Sequence, residues 1–200
     1  MVMHIEPESA ATIPERSPNA PAPGEQIPTH YRWCFGCGVD HPTGLHMVVT
    51  AGPNLNVDGV FTVTEHHQGA PGLAHGGLLS AAIDEVLGSL NWLIAAPAVT
   101  GHLACDFKKP VPVGTVLYVH AHIESVHGRK VYTRATAHMN DPEGPIAIVA
   151  SALFVQVGVE HFMSHGNKRE VDAALTDRQS RWGELADKTS GDDQPFEVNP

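Results

Sequence analysis

Residues 78–96 form the stretch that most limits how this chain can fold, because nearly every side chain in it is apolar or small. A helix that is apolar on all sides belongs inside a domain, where every face meets other apolar groups. Asp84 and Glu85 interrupt the stretch, and carboxylates are costly to bury unless they are paired or hydrogen-bonded. The sequence therefore predicts a central helix with two acidic residues that have a specific role.

The tripeptide His75-Gly76-Gly77 opens this helix and indicates an anion site at its start. The first backbone N–H groups of a helix have no intrahelical partner, and they point out of its positively polarised end. An anion site and a carboxylate on one element together indicate chemistry on a carbonyl group. Each feature also has a structural interpretation, since paired glycines allow close packing and Asp84 would be stable as a hydrogen-bonded structural acid.

Composition and charge narrow the class of protein further. The chain has 200 residues, 42% of them hydrophobic, which is enough for one ordinary domain with tails. Its net charge of −10 argues against binding to duplex nucleic acid. The two carboxylates in the central helix argue against a membrane span, and residues 1–12 lack a secretory-signal pattern. Three cysteines form no disulfide framework, so we expect a cytoplasmic protein.

The chain divides into three segments by composition. Residues 1–29 contain six prolines and little periodic apolar pattern, and they are predicted to be disordered or loosely draped. Residues 30–160 carry the apolar periodicity of the folded domain. Residues 161–200 form a polar extension, in which residues 171–186 are predicted to be a short surface helix before the chain frays.

Strand-like runs lie on both sides of the central helix in the sequence. Residues 115–126 alternate, and the apolar side chains on one face are Leu117, Val119, Ala121 and Ile123. His127-Gly128-Arg129 then forms a hairpin signal before the next run. One long apolar helix among such strands predicts an α+β fold, in which an antiparallel sheet of five to six strands wraps around the helix. The predicted strands are residues 46–51, 57–64, 99–109, 115–126, 130–139 and 146–157.

An ordered set of motifs resembles a known family. The run HQGAPGLAHGG at residues 67–77 is followed by DEVLG at residues 84–88. Together they resemble the hotdog-fold acyl-CoA thioesterases, most closely the PaaI-type group of the phenylacetate pathway. Further matches fall in the same order: Cys34-x-x-Cys37-Gly38, Pro42-x-Gly44-Leu45, Thr100, Lys108-Lys109-Pro110-Val111-Pro112 and Gly128-Arg129-Lys130. The resemblance covers residues 34–157, and the ordered spacing is more specific than any one motif.

The resemblance implies an activity and a set of catalytic groups. The family hydrolyses thioesters of coenzyme A without a metal or redox cofactor, and its oxyanion donor is a backbone N–H at the helix start, which here belongs to Gly76. The matching carboxylate is Asp84, as a general base on water or as a nucleophile. Thr100 matches a hydroxyl that helps to position the water. We expect His75 to orient the loop and Glu85 to cap or pair, with a direct catalytic role as the alternative for both.

Contacts to the substrate also follow from the resemblance. Gly77 is a substrate-binding position at the helix start, and Lys108, Arg129 and Lys130 match positions that contact acyl-CoA. Asp106 stands where relatives often have Asn, which brings an anion close to the phosphates of the substrate. The three cations would equally suit a plain solvated surface.

Helix geometry constrains how the catalytic groups can meet. Gly76 and Asp84 are about 12 Å apart along a helix, whereas a base and an oxyanion donor must lie within about 3 Å of the same reacting carbonyl. One chain cannot supply both groups to one site, but two antiparallel copies can. The sequence therefore predicts a homodimer, or a dimer of dimers, with two composite sites at a symmetric interface.

Zinc binding is an alternative for the segment before the first strand. His30, Cys34, Cys37 and His41 are residue types that hold zinc in a tetrahedral site. Their spacings are short, however, and the matching segment of the resembling family is usually metal-free. No metal is therefore predicted.

Two other functions share the predicted fold. A non-catalytic acyl-CoA sensor would use the same groove, but such regulators usually carry a basic DNA-binding segment, and residues 1–29 are acidic and rich in proline. A hotdog hydratase would need an Asp/His pair, and no histidine falls between Asp84 and His102. Hydrolysis of an acyl-CoA thioester is thus the predicted function.

Overall fold

An antiparallel six-stranded sheet is the main feature of the computed structural model, which describes residues 5–176. The strands are β1 (Val48–Ala51), β2 (Asn56–Thr62), β3 (Gln68–Ala70), β4 (Leu73–Ala74), β5 (Ala98–Phe107), β6 (Val116–His127), β7 (Lys130–Met139) and β8 (Ile146–Gln156). The helices are α1 (Gly76–Ser89), α2 (Val159–His165) and α3 (Lys168–Thr176), and a 3₁₀ turn at Leu90–Ile94 extends α1. The short strands β3 and β4 form a separate hairpin just before α1.

The strand order in the sheet is β1-β2-β6-β7-β8-β5, with antiparallel neighbours throughout. The alternation predicted for β6 is present, since Leu117, Val119 and Ala121 are at most 2% exposed. The turn into β7 is tight because Gly128 adopts φ +55°, which glycine reaches without strain. The predicted α+β architecture, with a sheet around one long helix, is confirmed.

Helix α1 packs across one face of this sheet and supplies the centre of the core. Ile83, Val86 and Leu87 are at most 1% exposed and belong to the same apolar cluster as the inward side chains of the strands. Gly59 of β2 faces the helix, and a Cβ at this position would approach Val86 Cγ2 to 2.5 Å. The helix can therefore lie this close to β2 only because residue 59 has no side chain.

The helix begins at the first of the paired glycines, where the sequence places its start, and the helical segment ends two residues before the end of the apolar stretch 78–96. It begins at Gly76, and Ala95 adopts φ +52°, a left-handed conformation that ends the 3₁₀ turn at Ile94. By length and composition, Gly76–Ile94 would also suit a membrane span. Its buried side chains, however, contact the strands of the sheet, as expected of a core helix.

The N-terminal segment lies along the domain between residues 5 and 29. It has no helix and only single bridges to strands in this range, but Thr12 exchanges backbone hydrogen bonds with Val126, and the Ile27 N–H bonds to the Val49 carbonyl. The Ile27 side chain is 6% exposed. Proline lacks an N–H donor, so the residues between the prolines make these contacts.

The C-terminal extension begins with two helices after β8. Helix α3 covers the first part of the helix predicted for residues 171–186, and the rest of that prediction lies outside the described residues. The Tyr31 hydroxyl donates a hydrogen bond of 2.6 Å to Glu170 at the start of α3. The segment boundaries at residues 29 and 160 stay predictions.

Candidate active site

Asp84 and Thr100 meet where α1 passes the start of β5. The Thr100 hydroxyl donates a hydrogen bond of 2.9 Å to Asp84 Oδ1. Asp84 is half-buried on the third turn of the helix, and Thr100 is exposed near the first residues of the strand. The fold thus brings together two residues that the sequence analysis assigned to catalysis, the carboxylate and the hydroxyl.

The environment of Asp84 makes it a stronger base than a carboxylate in water. Burial raises the pKa of the Asp84 carboxyl, the hydrogen bond from Thr100 opposes this rise, and negative charge on Cys34 adds to it. Because Thr100 holds Oδ1, the orientation of the carboxylate is fixed.

A cavity of about 360 Å³ opens beside the Asp84–Thr100 pair. Aromatic side chains from three elements line one part of it: Trp92 from the 3₁₀ turn, Phe154 from β8 and Phe162 from α2. His30 and Cys34 form part of another wall. A cavity with aromatic side chains in one part and the carboxylates of Asp84 and Glu85 in another suits an apolar chain attached to a polar reacting group.

The start of α1 leaves one backbone donor available. His75 is the N-cap residue, and its Nδ1 accepts a hydrogen bond of 3.0 Å from the Gly77 N–H. The His75 carbonyl accepts hydrogen bonds from the N–H groups of Leu78 and Leu79. Within residues 5–176, the Gly76 N–H has no hydrogen-bond partner. Gly76 therefore offers a donor to a ligand, whereas Gly77 is part of the helix cap.

A groove of about 270 Å³ borders Gly76. Phe107, which is 49% exposed, and Lys108 line it at the end of β5. Lys108 Nζ donates a hydrogen bond of 2.9 Å to Asp106 Oδ2. The anion that stands at position 106 is therefore paired with a cation of the same strand end, which reduces its repulsion of a phosphate.

The donor and the carboxylate open onto different spaces. Gly76 lines the groove at the start of α1, and Asp84 lines the cavity at its third turn. The helix rise separates the two residues by about 12 Å. A single carbonyl cannot contact both groups of one chain.

The predicted phosphate-binding cations also lie apart. The Lys108 backbone N–H donates a hydrogen bond to the Ala147 carbonyl near the start of β8. Lys130 of β7 lies opposite Val155, near the end of the same strand. The intervening strand spans about 26 Å, so Lys108 cannot share one phosphate with Lys130 or its neighbour Arg129 in the same chain. Lys130 Nζ also donates a hydrogen bond of 2.6 Å to Glu8 Oε1, a partner that the sequence analysis did not identify.

Glu85 contacts the loop that precedes β1. Its Oε2 lies 3.4 Å from Cys34 Sγ, and its Oε1 lies 3.9 Å from His30 Nδ1. Cys37 joins this cluster, in which the ligand atoms lie within 4.8 Å of one another. His41 does not, because its ring packs edge-on against Phe35. The assignment of His41 as the fourth ligand in the zinc hypothesis is therefore wrong, and Glu85 occupies that place. Spacing along the chain does not reveal that α1 packs against this loop.

The side chains in this cluster shift one another's pKa values. Burial raises the pKa of Glu85 to about 7. A hydrogen bond from the Cys37 thiol lowers the pKa of Cys34, and the same bond raises the pKa of Cys37. Burial disfavours the charged form of His30, but a hydrogen bond with Cys34 raises the His30 pKa overall. The same hydrogen bond therefore favours deprotonation of Cys34 over deprotonation of Cys37.

The aromatic lining of the cavity was not predicted from the sequence. Phe154 lies in a strand that is apolar on both faces, so its position gave no signal that distinguished it from core residues. Phe162 follows the sheet in a short helix that was not predicted. Trp92 lies in the predicted helix, but only the packing of α2 and β8 around the 3₁₀ turn brings the three rings to one cavity.

Comparison with known proteins identifies relatives of this chain. Residues 71–146 match the family model described as thioesterase superfamily. The acyl-coenzyme A thioesterase THEM4 of Xenopus laevis is 31% identical over 98 residues, which make up 49% of this chain and 44% of that protein. The chain therefore spans less than half the length of this curated relative.

Solved structures share the fold. The crystal structure of a thioesterase superfamily protein has a TM-score of 0.58 and 26% identity, with 68% of this chain and 70% of that chain covered. The PaaI protein from the phenylacetic acid degradation operon of E. coli has a TM-score of 0.52 and 16% identity, with 57% and 81% covered. The resemblance predicted from the sequence is confirmed: the chain has the hotdog fold, and its residues 71–146 match the thioesterase superfamily.

Proposed function

We propose that this protein hydrolyses acyl-CoA thioesters to a free acid and coenzyme A. The observation that carries the proposal is the hydrogen bond from Thr100 to Asp84 at the edge of a cavity with aromatic walls. It supplies a fixed carboxylate beside a space for an acyl chain. The name of the relative from Xenopus laevis, an acyl-coenzyme A thioesterase, supports the same substrate class.

The chemistry assigns one task to each group. Asp84 takes a proton from water, which attacks the thioester carbon, or attacks that carbon itself to form a mixed anhydride that water then hydrolyses. The carbonyl oxygen becomes an oxyanion, and the Gly76 N–H donates a hydrogen bond to it. When the carbonyl re-forms, the carbon–sulfur bond breaks, and the thiolate of coenzyme A leaves and takes up a proton.

Two copies of the chain would complete each site. The Gly76 N–H and the Asp84 carboxylate of one chain face separate spaces, so each chain contributes half of two sites in a symmetric dimer. An antiparallel arrangement of two α1 helices aligns Gly76 of one protomer with Asp84 of its partner. The exposed Phe107 beside Gly76 is an apolar side chain that such a partner would cover.

The same arrangement would bring together cations that one chain keeps apart. Lys108 lies beside Gly76, whereas Arg129 and Lys130 lie near the end of β5 that carries Thr100. Pairing the Gly76 half of one protomer with the Asp84 half of the other therefore places cations from both chains around one substrate. Such a composite site suits the phosphates of coenzyme A.

A panel of acyl-CoA substrates of increasing chain length tests the proposal. The purified full chain is expected to release free thiol, with the highest kcat/KM for an acyl group that fills the 360 Å³ cavity. Acyl-CoA binding measured by calorimetry without thiol release, for every chain length, would overturn hydrolysis and favour the sensor. Absence of both binding and turnover would overturn the substrate class.

A further inference from the structure

Four side chains of metal-binding type converge between α1 and the loop before β1. They are His30, Cys34, Cys37 and Glu85, and their ligand atoms lie within 4.8 Å of one another. Within residues 5–176, no other group of three or more histidine, cysteine or acidic side chains has this arrangement. The proposed hydrolysis assigns no chemical step to this cluster, so its composition needs a separate explanation.

The distances in the cluster fit a tetrahedral ion. Cys37 Sγ lies 3.3 Å from His30 Nδ1, Cys34 Sγ lies 3.4 Å from Glu85 Oε2, and His30 Nδ1 lies 3.9 Å from Glu85 Oε1. Zinc–sulfur bonds of about 2.3 Å and zinc–nitrogen or zinc–oxygen bonds of about 2.1 Å place neighbouring ligand atoms about 3.6 Å apart. The four side chains therefore surround a space of the size that zinc requires.

The loop before β1 is shaped around the sulfur atoms. The Gly36 N–H donates a hydrogen bond of 3.3 Å to Cys34 Sγ, and the Gly38 N–H donates one of 2.9 Å to the Cys34 carbonyl. A Cβ at Gly36 would overlap the Glu85 carboxylate, and a Cβ at Gly38 would overlap the backbone of Cys34. An N–H donor stabilises the thiolate form that a metal ion requires.

We propose that His30, Cys34, Cys37 and Glu85 bind one Zn²⁺ ion. Two thiolates with one imidazole and one carboxylate suit zinc, whereas Mg²⁺ and Ca²⁺ prefer oxygen ligands. Four protein ligands complete a tetrahedron and leave no position for water, so the site is structural. A bound cation also compensates the burial of the Glu85 carboxylate, whose side chain is only 11% exposed.

The ion would fasten the loop to the helix beside the catalytic carboxylate. Glu85 is the neighbour of Asp84, and His30 and Cys34 form part of the wall of the cavity. The metal thus fixes the shape of this wall, while Asp84 is not among its ligands. Removal of the ion is expected to release residues 30–38 from α1 and to lower the thermal stability of the whole chain.

Metal analysis of the full chain, purified under reducing conditions without chelator, tests the proposal. We expect one equivalent of zinc per chain by mass spectrometry. Replacement by Co²⁺ is expected to give the visible absorption of a tetrahedral ion and a thiolate-to-metal band in the near ultraviolet. Cys37→Ser should weaken zinc binding by more than the roughly 10–100-fold that loss of an outer-sphere partner costs.

Two control variants separate this site from its alternatives. His41→Ala removes the other histidine of the sequence motif, and Cys105→Ser removes a thiol outside the cluster, so both should keep one equivalent of zinc. Loss of zinc in His41→Ala together with full zinc content in Glu85→Gln would overturn the assignment of the ligands.

The unmodified chain provides a test that does not depend on how the variants fold. Zinc should protect Cys34 and Cys37 from alkylation, and a chelator should expose both, while Cys105 reacts to the same extent in the two states. A chain that neither contains nor takes up zinc, or that is purified with a Cys34–Cys37 disulfide, contradicts the proposal. None of these measurements uses thioester hydrolysis, so the metal site and the proposed activity can fail independently.

Discussion

The two ends of the candidate catalytic machinery differ in what they are made of. At the start of α1, the functional group is a backbone N–H, and His75 uses its side chain to occupy the neighbouring N–H of Gly77. At the third turn, the functional group is the Asp84 side chain, oriented by a hydroxyl from β5. The first half therefore depends on helix geometry, and the second depends on a contact between two elements.

This difference predicts how each half responds to mutation. A backbone donor is lost only when the N–H itself is removed, whereas a side-chain carboxylate is lost through a nearly isosteric substitution. Because the two halves open onto separate spaces, a defect in one should leave the other intact.

The largest effect is expected for Asp84→Asn. The amide has the shape of the carboxylate but neither accepts a proton from water nor attacks the thioester, so kcat should fall by about 10²–10⁴. Steady-state thiol release at saturating acyl-CoA measures this loss, and thermal unfolding checks the fold. Thr100→Val removes only the orienting hydrogen bond and should lose less activity, as should Glu85→Gln. Equal losses in Asp84→Asn and Glu85→Gln would contradict the assignment of the base.

A second large effect is expected for Gly76→Pro, which deletes the N–H at the first helical position. Proline is well tolerated there, and His75 already has the extended conformation, φ −73° and ψ 129°, that precedes a proline. Loss of one oxyanion donor should lower kcat by about 10²–10³. Gly76→Ala is the matched control, because it keeps the N–H and its Cβ would lie 3.6 Å from Phe107.

Mixing the two inactive proteins tests whether the halves come from different chains. In a heterodimer of Asp84→Asn and Gly76→Pro subunits, one of the two composite sites has both groups intact. Random reassociation should therefore recover about one quarter of the wild-type activity. Size-exclusion chromatography must first establish that both variants dimerise. Inactive mixtures that contain heterodimers would indicate that each site is built within one chain.

A moderate effect is expected from the cations of each half. Lys108→Ala and Arg129→Ala should each raise KM about fivefold and leave kcat nearly unchanged, because phosphate contacts bind ground and transition states alike. The increase should shrink at high salt and vanish for an acyl-pantetheine, which lacks the nucleotide. Lys130→Ala also breaks the hydrogen bond to Glu8, so thermal unfolding must accompany the measurement of its KM. An unchanged KM in both Lys108→Ala and Arg129→Ala would indicate a substrate other than a coenzyme A ester.

The smallest effect is expected for His75→Ala, which removes the cap of α1. The Gly77 N–H then loses its acceptor, and the free energy of unfolding should fall by about 1 kcal/mol. Urea denaturation measures this change. His75→Asn should restore most of the stability, because asparagine also accepts a hydrogen bond at the N-cap. A loss of kcat as large as that of Gly76→Pro would instead assign His75 a direct catalytic role.

The sequence alone determined the central helix, the strands of the main sheet and the motif that carries the chemistry. Alternation along β6 and the continuous apolar run of α1 are local patterns, and each element buries the face that its own residues define. The 12 Å between Gly76 and Asp84 likewise follows from helix geometry, which depends on sequence separation alone. For these reasons the helix, the six strands of the main sheet and the separation of the two groups could be predicted.

Only the tertiary structure decided which distant residues meet. The packing of α1 against the loop before β1 brings Glu85, and not His41, to Cys34 and Cys37. The antiparallel pairing of β7 and β5 with β8 separates Lys130 from Lys108, and the segment before β1 supplies Glu8 to Lys130. Such contacts join residues far apart in the chain, and they arise from how whole elements pack, which no local periodicity or spacing encodes.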